Sequence, residues 1–336
     1  MSRYVVIGGG AVGGLLAAQL ELAGIATVLV ARGAHLAAIR ADGLRIRRPH
    51  GDDVVRLATA GGPDEVRLST EDVLVLATKA QDAGAALTAW AWRPVHDGAG
   101  AAVGLGADLP VLTVQNGIGT EEEALRRFAR VYGVTVGVAA SYLVPGEVVS
   151  PSYPTVGIAW LGRYPDQAGD PDQERFARDL TAAGFGVHSV PDISAWKARK
   201  LLGNVRNGLD LFDGTEEEKA RAGALLVAEA EAAYAAAGIT PAGGADAVRA
   251  GITLTFGTVP GHVSGRLSTW QSFARGTSSE VDHLNGEIVR LGRRHGVATP
   301  VNERLQRLLG AQAAAGLPPG VNRVSDLLVV TADARA

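Results

Sequence analysis

Residues 4–13 read Tyr-Val-Val-Ile-Gly-Gly-Gly-Ala-Val-Gly. The first four are apolar without interruption, as in a short strand that is buried on both faces of a parallel sheet. The glycines that follow have the spacing G-x-G-x-x-G, and residues 11–23 predict a helix that ends at Gly24. A second apolar strand is predicted over residues 26–31. A strand, a glycine-rich turn, a helix and a strand within about 30 residues form a βαβ unit.

The glycines of this turn each have a predicted task. Gly8 permits the tight turn, Gly10 has no Cβ that would block a diphosphate, and Gly13 allows the helix to pack closely on the strand. The start of a helix also offers free N–H groups and the positive end of its dipole. We therefore expect the diphosphate of a dinucleotide to be bound by Gly8, Gly9, Gly10, Ala11, Val12 and Gly13. The alternative is a glycine-rich turn without a ligand.

Arg32 lies at the end of the second predicted strand. Enzymes that use NAD usually have Asp or Glu there, which accepts hydrogen bonds from the ribose hydroxyls. A guanidinium group can instead bind the 2′-phosphate of NADP. Asp42 is too far along the chain to be the usual ribose acid. The sequence therefore favours NADPH/NADP+ over NADH, with a solvent-exposed arginine that binds nothing as the alternative.

The remaining pattern divides the chain into two parts. Further strands are predicted over 44–48, 54–58, 73–77, 111–114 and 132–138, and helices near 34–41, 80–91 and 120–130. This alternation is typical of an α/β doubly wound, mostly parallel sheet, the Rossmann architecture. Prolines within 143–163 predict hairpin-like strands that close this domain. Later segments look helical, namely 194–212, 216–237, 242–256, 270–295 and 300–314. We expect an NADP-binding Rossmann domain over residues 1–190 and an all-α substrate and catalytic domain over residues 191–336.

Composition narrows the classes of function. The 336 residues carry a net charge of -3, which gives no basic field for nucleic acid. The absence of cysteine excludes disulfides, thiolate nucleophiles and Cys-ligated metals. No apolar run reaches about 18 residues, and the N-terminus leads directly into the first strand without a signal-peptide pattern. We expect a cytoplasmic protein that acts on a small molecule, with no nucleic-acid or membrane partner. A homodimer is compatible with the sequence, which does not determine the oligomeric state.

Polar residues follow two of the predicted strands. Lys79 and Gln81 come after the strand at 73–77, and Asn116 comes after the strand at 111–114. The carboxyl ends of strands border the ligand crevice of an open α/β sheet. We therefore expect these side chains to contact the cofactor, with Lys79 and Asn116 facing its nicotinamide half. A surface lysine and a turn-forming Asn-Gly pair are the alternatives.

In order and spacing, these residues resemble the ketopantoate reductase (2-dehydropantoate 2-reductase) family over nearly the whole chain. The shared landmarks are Gly8–Gly13, Arg32, Lys79-x-Gln81, Gln115-Asn116-Gly117, Lys200-x3-Asn204-x2-Asn207, Ser268-x2-Gln271, Ser279-Glu280-Val281-Asp282-x2-Asn285-Gly286 and Gly296-Val297-Ala298-Thr299-Pro300-x-Asn302. The resemblance implies a Rossmann domain followed by a helical domain. It also implies NADPH-dependent reduction of 2-dehydropantoate to (R)-pantoate, on the pathway to pantothenate and coenzyme A.

The resemblance also assigns the site. Lys200 matches the family's general acid, and the cleft that holds substrate and cofactor is lined by the matches Asn116, Asn204, Asn207, Ser268 and Glu280. The chemistry of these residue types agrees with this assignment. A protonated lysine stabilises the charge that develops on a carbonyl oxygen and can donate the proton. On one helix, Lys200, Asn204 and Asn207 would share a face. Glu280 could pair with Lys200 and keep it protonated.

Several alternatives remain open at this point. Lys197 shares the face of Lys200, although only Lys200 has Asn at the i+4 position. Ser268 and Glu280 could serve as helix caps. No metal site is expected, because Asp282, His283 and Asn285 lack ligand spacing on one helix face.

Three departures from the family pattern concern the substrate. Gln271-Ser272 stands where many members have Gln-Asp, the second Asn of the lysine segment is at i+7 where some members have i+8, and Trp196 precedes Lys200 by four residues and not two. The acceptor could therefore be a different small 2-oxo acid or ketone. An NADP(H)-binding sensor without turnover is the remaining alternative.

Overall fold

A computed structural model describes residues 2–165, 169–243, 251–262, 269–270, 273 and 279–328. The strands are β1 Arg3–Ile7, β2 Thr27–Val30, β3 Leu44–Arg48, β4 Gly51–Val55, β5 Ala58–Ala60, β6 Leu68–Ser69, β7 Asp72–Leu76, β8 Pro94–His96, β9 Ala102–Leu105, β10 Val111–Thr113, β11 Val131–Gly137, β12 Glu147–Val149, β13 Ser152–Pro154, β14 Ile158–Tyr164, β15 Gly186–Ser189, β16 Phe212–Asp213, β17 Leu254–Phe256 and β18 Asn322–Arg323. The α-helices are α1 Ala11–Leu22, α2 Gly33–Asp42, α3 Ala80–Ala91, α4 Thr120–Leu125, α5 Pro171–Ala182, α6 Ile193–Asn204, α7 Glu216–Ala237, α8 Asn285–His295, α9 Pro300–Ala314 and α10 Val324–Leu328. Short 3₁₀ helices cover Pro63–Glu65, Gly106–Asp108, Asn207–Leu211 and Val281–His283.

The N-terminal half is built on an eight-stranded sheet in the order β15-β14-β11-β10-β7-β1-β2-β5. Every pair in it is parallel except β11 with β14. The predicted doubly wound, mostly parallel sheet is therefore confirmed. The strand order reverses at β1, which pairs with β2 on one side and β7 on the other. Ligands of open α/β sheets bind at such a reversal, outside the carboxyl ends of the strands.

The packing of β1 explains why residues 4–7 are apolar without interruption. Tyr4 and Val6 lie in the core shared with α1 and α5, whereas Val5 and Ile7 lie in the core shared with α3 and α4. Because successive side chains of a strand point to opposite faces, a sheet with helices on both sides needs apolar residues at every position.

The strands after residue 143 pair differently from the predicted hairpins. β12 joins β3 in parallel, β13 pairs with β17 in antiparallel orientation, and β14 enters the main sheet beside β11. The segment forms strands, as predicted, but consecutive strands belong to different sheets.

The helical half has its own core. It is formed by apolar residues of α6, α7, α8, α9 and α10. Helix α7 begins with a capping box, in which the Thr215 hydroxyl accepts from the Glu218 amide and the Glu218 carboxylate accepts from the Thr215 amide. The predicted helical C-terminal domain is therefore confirmed for the described part of the chain.

The chain forms two compact units, and each is built from segments that are not continuous in sequence. The first comprises 1–115, 120–194 and 243–262, and the second comprises 116–119, 195–242 and 263–336. The prediction of a helix over 242–256 is wrong at its end, because Leu254–Phe256 is a strand of the first unit. Ile252, Leu254 and Phe256 alternate with threonines, which is a strand pattern. A boundary near residue 190 stays a prediction. Within the described ranges, no helix is long and apolar enough to cross a membrane.

Candidate active site

The glycine-rich turn at the end of β1 is held by close contacts. Gly8 has a φ of +116°, and a Cβ there would lie 2.7 Å from the amide nitrogen of Thr78. A Cβ on Gly13 would overlap the carbonyl oxygen of Gly8. Both positions therefore need glycine for the fold itself, the first for its backbone conformation and the second for the approach of α1 to β1.

Gly10 differs from these neighbours. Its φ of -69° is open to any residue, and no atom lies within 4 Å of the place where its Cβ would be. Gly10 is the N-cap of α1, and as a glycine it has no side chain that could cap the free N–H groups of the helix. Protein packing does not require a glycine here. Space left open above an uncapped helix N-terminus fits the approach of a phosphate.

The neighbouring strand end adds polar groups to this crevice. The Gln115 side-chain amide donates to the carbonyl oxygens of Leu76 and Thr78, at 2.7 and 3.0 Å. Gln115 thereby fixes the chain at the exit of β7. The hydroxyl oxygen of Thr78 is buried and has no hydrogen-bond partner among the described residues. Lys79 is the N-cap of α3 and Gln81 lies in its first turn, both partly exposed.

Arg32 has the placement that the sequence predicts. It follows β2, is the N-cap of α2, and is exposed to solvent. Neither the end of β2 nor the first turn of α2 carries an acidic residue. The guanidinium group is therefore the charged group available at this strand end.

Two lysines lie on α6 in the second unit. Lys197 is 3% exposed, whereas Lys200 is partly exposed. Burial of its ammonium and the positive charge of Lys197 lower the pKa of Lys200 to about 8. The carboxylate of Glu280 opposes this shift. An ammonium group with such a pKa is protonated at neutral pH and gives up its proton more readily than an ordinary lysine.

Glu280 lies at the start of a short 3₁₀ helix, Val281–His283. The hydroxyl of Ser279, not the Glu280 carboxylate, accepts from the Val281 amide. Glu280 is the N-cap residue of this 3₁₀ helix and makes no side-chain capping hydrogen bond. Its alternative role as a helix-entry acid stays open. Gly117, next to Asn116, approaches the segment that follows Glu280 so closely that a Cβ on it would lie 2.6 Å from the His283 carbonyl oxygen.

The asparagines on the lysine segment do not share one helix. Helix α6 ends at Asn204, and Asn207 begins the 3₁₀ helix that follows. The prediction of a single helical face for Lys200, Asn204 and Asn207 is therefore wrong for Asn207. Asn204 stays on the helix one turn after Lys200, and both asparagines are partly exposed. Their role toward a substrate stays a prediction.

Comparison with known proteins gives the family. Residues 4–165 match the model described as "Ketopantoate reductase PanE/ApbA", and residues 192–313 match its C-terminal counterpart. The chain belongs to the ketopantoate reductase family.

Curated relatives cover nearly the whole chain. The 2-dehydropantoate 2-reductase of Pyrococcus abyssi is 26% identical over 317 residues, which is 94% of this chain and 99% of the relative. The enzyme of the same name from Mesorhizobium japonicum is 29% identical over 339 residues, with 91% and 96% coverage. The chain is an oxidoreductase of the family that acts on CH–OH groups.

Solved structures agree on the fold. A ketopantoate reductase of this family from Ralstonia eutropha is 25% identical with a TM-score of 0.74, and covers 94% of this chain and 99% of its own. A D-mandelate dehydrogenase, solved with NADH and anilino(oxo)acetate, is 22% identical with the same TM-score and the same coverage. The second likeness concerns the fold alone.

Two ketopantoate reductase landmarks have structural contacts in this chain. Asn285 donates to the Val205 carbonyl oxygen at 2.8 Å and to Oδ1 of Asn302 at 3.0 Å. Asn302 in turn donates to the Leu226 carbonyl oxygen and the Glu229 carboxylate. Sequence reasoning missed Glu229, which also accepts from the Val301 and Asn302 amides at the start of α9. No motif marks Glu229, because its partners lie more than 70 residues away.

Ser268, Gln271 and Ser272 lie outside the described residues. Asp282 accepts from the Gln306 side-chain amide at 2.7 Å. Among the described residues, no group of three metal-ligating side chains is close enough to hold a metal ion.

Proposed function

We propose that this ketopantoate reductase family member catalyses the NADPH-dependent reduction of 2-dehydropantoate to (R)-pantoate, a step in the formation of pantothenate and coenzyme A. The observation that carries the proposal is the family match over both halves of the chain, together with curated relatives named for this reaction. Lys200 and Glu280, 80 residues apart in the chain, agree with it, because the Glu280 carboxylate favours the charged form of the Lys200 ammonium.

The residues of the first unit fit a dinucleotide. The turn from Gly8 to Gly13 would hold the diphosphate at the start of α1, where Gly10 leaves space that protein packing does not use. The buried Thr78 hydroxyl is a further polar group beside this turn. When bound, the nicotinamide supplies the hydride. We assign Lys79, Gln81 and Asn116 to the cofactor as well, with Asn116 also contacting substrate.

The preference for NADPH follows from Arg32. A guanidinium group at the end of β2 attracts a 2′-phosphate and forms paired hydrogen bonds with it. NADH offers no such group. An acidic residue that would bind both ribose hydroxyls is absent from the exit of β2 and the first turn of α2.

Lys200 is the proposed general acid. As the carbonyl carbon of the substrate is reduced, its oxygen gains negative charge, which a protonated lysine stabilises before it donates the proton. Its pKa of about 8 keeps it charged at neutral pH. Glu280 favours the charged form, because its carboxylate attracts the ammonium. General acid catalysis of this kind contributes roughly 10²–10⁴ in rate.

The amide and hydroxyl side chains would orient the substrate. We assign Asn204, Asn207 and Ser268 to the substrate's oxygens, because their side chains can donate hydrogen bonds to a carboxylate or a hydroxyl. Correct orientation of the carbonyl lowers the barrier by fixing the reacting atoms before reaction.

A spectrophotometric assay tests the proposal. NADPH oxidation at 340 nm is measured with 2-dehydropantoate and with a panel of other 2-oxo acids and ketones. We expect turnover with 2-dehydropantoate, and a kcat that Lys200→Ala lowers about 10²- to 10⁴-fold with little change in NADPH affinity. Equal losses of kcat and NADPH affinity would contradict the acid role. Tight NADPH binding without turnover of any substrate would indicate a sensor.

A second candidate is the reduction of a different small 2-oxo acid or ketone. Gln271-Ser272 favours it, because an acid that many family members have near the substrate is replaced by serine. Identities of 26% and 29% to the named reductases leave the reaction class better supported than the substrate. The panel in the same assay separates the two candidates.

A further inference from the structure

His35 lies in the first turn of α2, behind the glycine-rich turn, and is 5% exposed. We propose that His35 is a positioning residue of the diphosphate-binding turn, which its neutral ring ties to the loop at residues 142–146. This inference rests on the proposed cofactor function. Three contacts carry it: one from Nδ1 to the loop, one between the His35 and Tyr142 rings, and one from the ring edge toward Gly9.

The contact of Nδ1 is a hydrogen bond. The amide of Gly146 donates to Nδ1 of His35 at 2.8 Å. Gly146 is itself fixed, because its φ is +81° and a Cβ on it would lie 2.9 Å from the Cβ of Ala38 on α2. Its carbonyl oxygen accepts from the Arg45 amide at 2.9 Å. The Gly146 amide that donates to Nδ1 of His35 is therefore held in place.

This hydrogen bond sets the state of the ring. An Nδ1 that accepts from an amide carries no proton, so the neutral ring is protonated at Nε2. Burial lowers the pKa of His35, which favours the neutral ring, while the Gly9 carbonyl opposes the shift. The ring also packs on Tyr142, with centroids 4.3 Å apart.

The ring edge lies against the glycine-rich turn. A Cβ on Gly9 would lie 2.8 Å from the Cβ of Ala31 and 3.3 Å from Cδ2 of His35. Ala31 and His35 therefore line one side of the backbone that leads into Gly10. Displacement of His35 would remove a contact beside the peptide at which we place the diphosphate.

Packing alone does not explain a histidine at this position. Nε2 is buried and makes no hydrogen bond of normal geometry among the described residues, although the Gly9 carbonyl interacts with the ring. A buried donor without a partner destabilises a fold, and a phenylalanine would fill a similar space without that cost. The choice of an imidazole is accounted for by Nδ1, which phenylalanine lacks.

The matched variants are His35→Phe, which keeps a ring but loses the acceptor, and His35→Asn, whose Oδ1 can accept from Gly146 in place of Nδ1. The dissociation constant of NADPH is measured by fluorescence titration of the full-length protein, and melting temperature is recorded alongside. We expect His35→Phe to weaken NADPH binding about tenfold, which is ~1.4 kcal/mol. We expect His35→Asn to weaken it less than threefold.

Two outcomes separate this inference from the proposed function. If the wild-type protein binds NADPH and both variants bind it equally well, or are equally weakened, the positioning role is wrong and the proposed function stands. If the wild-type protein binds no NADPH, both are wrong. Should His35→Phe fail to fold, the ¹⁵N spectrum of histidine-labelled wild-type protein decides, with the His35 signals identified by their loss in His35→Asn. A proton on Nε2 alone supports the role, and a proton on Nδ1 overturns it.

Discussion

Nδ2 of Asn285 lies 3.0 Å from Oδ1 of Asn302, and both side chains are buried, at 1% and 0% exposure. The pair joins the start of α8 to the start of α9. Through Asn285 it also binds the carbonyl oxygen of Val205, the residue after the last turn of the lysine helix. Two landmarks of the family sequence thus hold the elements around Lys200.

Removal of this pair should destabilise the helical unit. Asn302→Leu keeps the size of the side chain but leaves the Asn285 amide, the Leu226 carbonyl and the Glu229 carboxylate without this partner. Buried groups that lose a partner cost about 1–3 kcal/mol each. We expect the free energy of unfolding in urea to fall by roughly 2–4 kcal/mol. Arg304→Ala, on the exposed face of α9, is the control and should change it by less than about 0.5 kcal/mol. A loss below about 1 kcal/mol for Asn302→Leu would contradict the prediction.

Gly10 and Gly13 should respond to alanine in opposite ways. Gly10→Ala adds a methyl group to open space, so the melting temperature should stay within about 2 °C while NADPH affinity falls at least roughly tenfold. Gly13→Ala forces a methyl group onto the Gly8 carbonyl oxygen, so it should lower the melting temperature strongly. Differential scanning calorimetry and cofactor titration measure the two effects. Unchanged NADPH affinity in Gly10→Ala would mean that the diphosphate does not approach this backbone.

The rate should depend on pH through Lys200. A general acid must be protonated in the free enzyme, so kcat/KM should be level below pH 8 and fall about tenfold per pH unit above it. Lys197→Met removes a positive charge that lowers the pKa of Lys200, so the fall should move to higher pH. Glu280→Gln removes the charge that raises it, so the fall should move to lower pH.

Stopped-flow rates over pH 6–10 measure these shifts. A level profile to pH 10 would exclude Lys200 as the acid. Loss of turnover in Lys197→Met, with turnover retained in Lys200→Met, would assign the role to Lys197 instead.

Arg32→Ala should separate the two nicotinamide cofactors. Without the guanidinium group, the 2′-phosphate loses a charged partner, so kcat/KM for NADPH should fall about 10- to 100-fold. The value for NADH should change less than about twofold, since NADH has no phosphate at that position. An equal decrease for both cofactors would show that Arg32 supports the fold of β2 and α2 and does not bind the 2′-phosphate.

Local patterns predicted the first unit well. The glycine turn was predictable because its glycine spacing and the apolar strand before it are both local in sequence, and the strand, turn and helix lie where residues 4–23 predict them. The segment 254–256 was wrongly predicted as helix although its apolar residues alternate with threonines, and its pairing with β13, far earlier in the chain, is not a local signal. The single face for Lys200 and Asn207 failed because the chain tightens from α-helix to 3₁₀ helix after Asn204.

Contacts over long distances in sequence were beyond prediction. Gly117, next to Asn116, lies close to the carbonyl of His283, and no local pattern in either segment predicts this approach. The family resemblance predicted Lys200 and Glu280 as site residues. The effect of Glu280 on the pKa of Lys200, and the hydrogen bond between Asn285 and Asn302, could be found only in the structure.

Ile252 fills the space beside Gly186, where an added Cβ would lie 2.6 Å from its side chain, and β17 pairs with β13. The sheet-bearing unit is therefore completed by a stretch encoded within the helical half of the gene. Relatives that exchange their helical halves by recombination at residue 190 would bring a foreign stretch 251–262 to that sheet. Chimaeras with two crossovers, which return this stretch to its parent sheet, would preserve the native pairing.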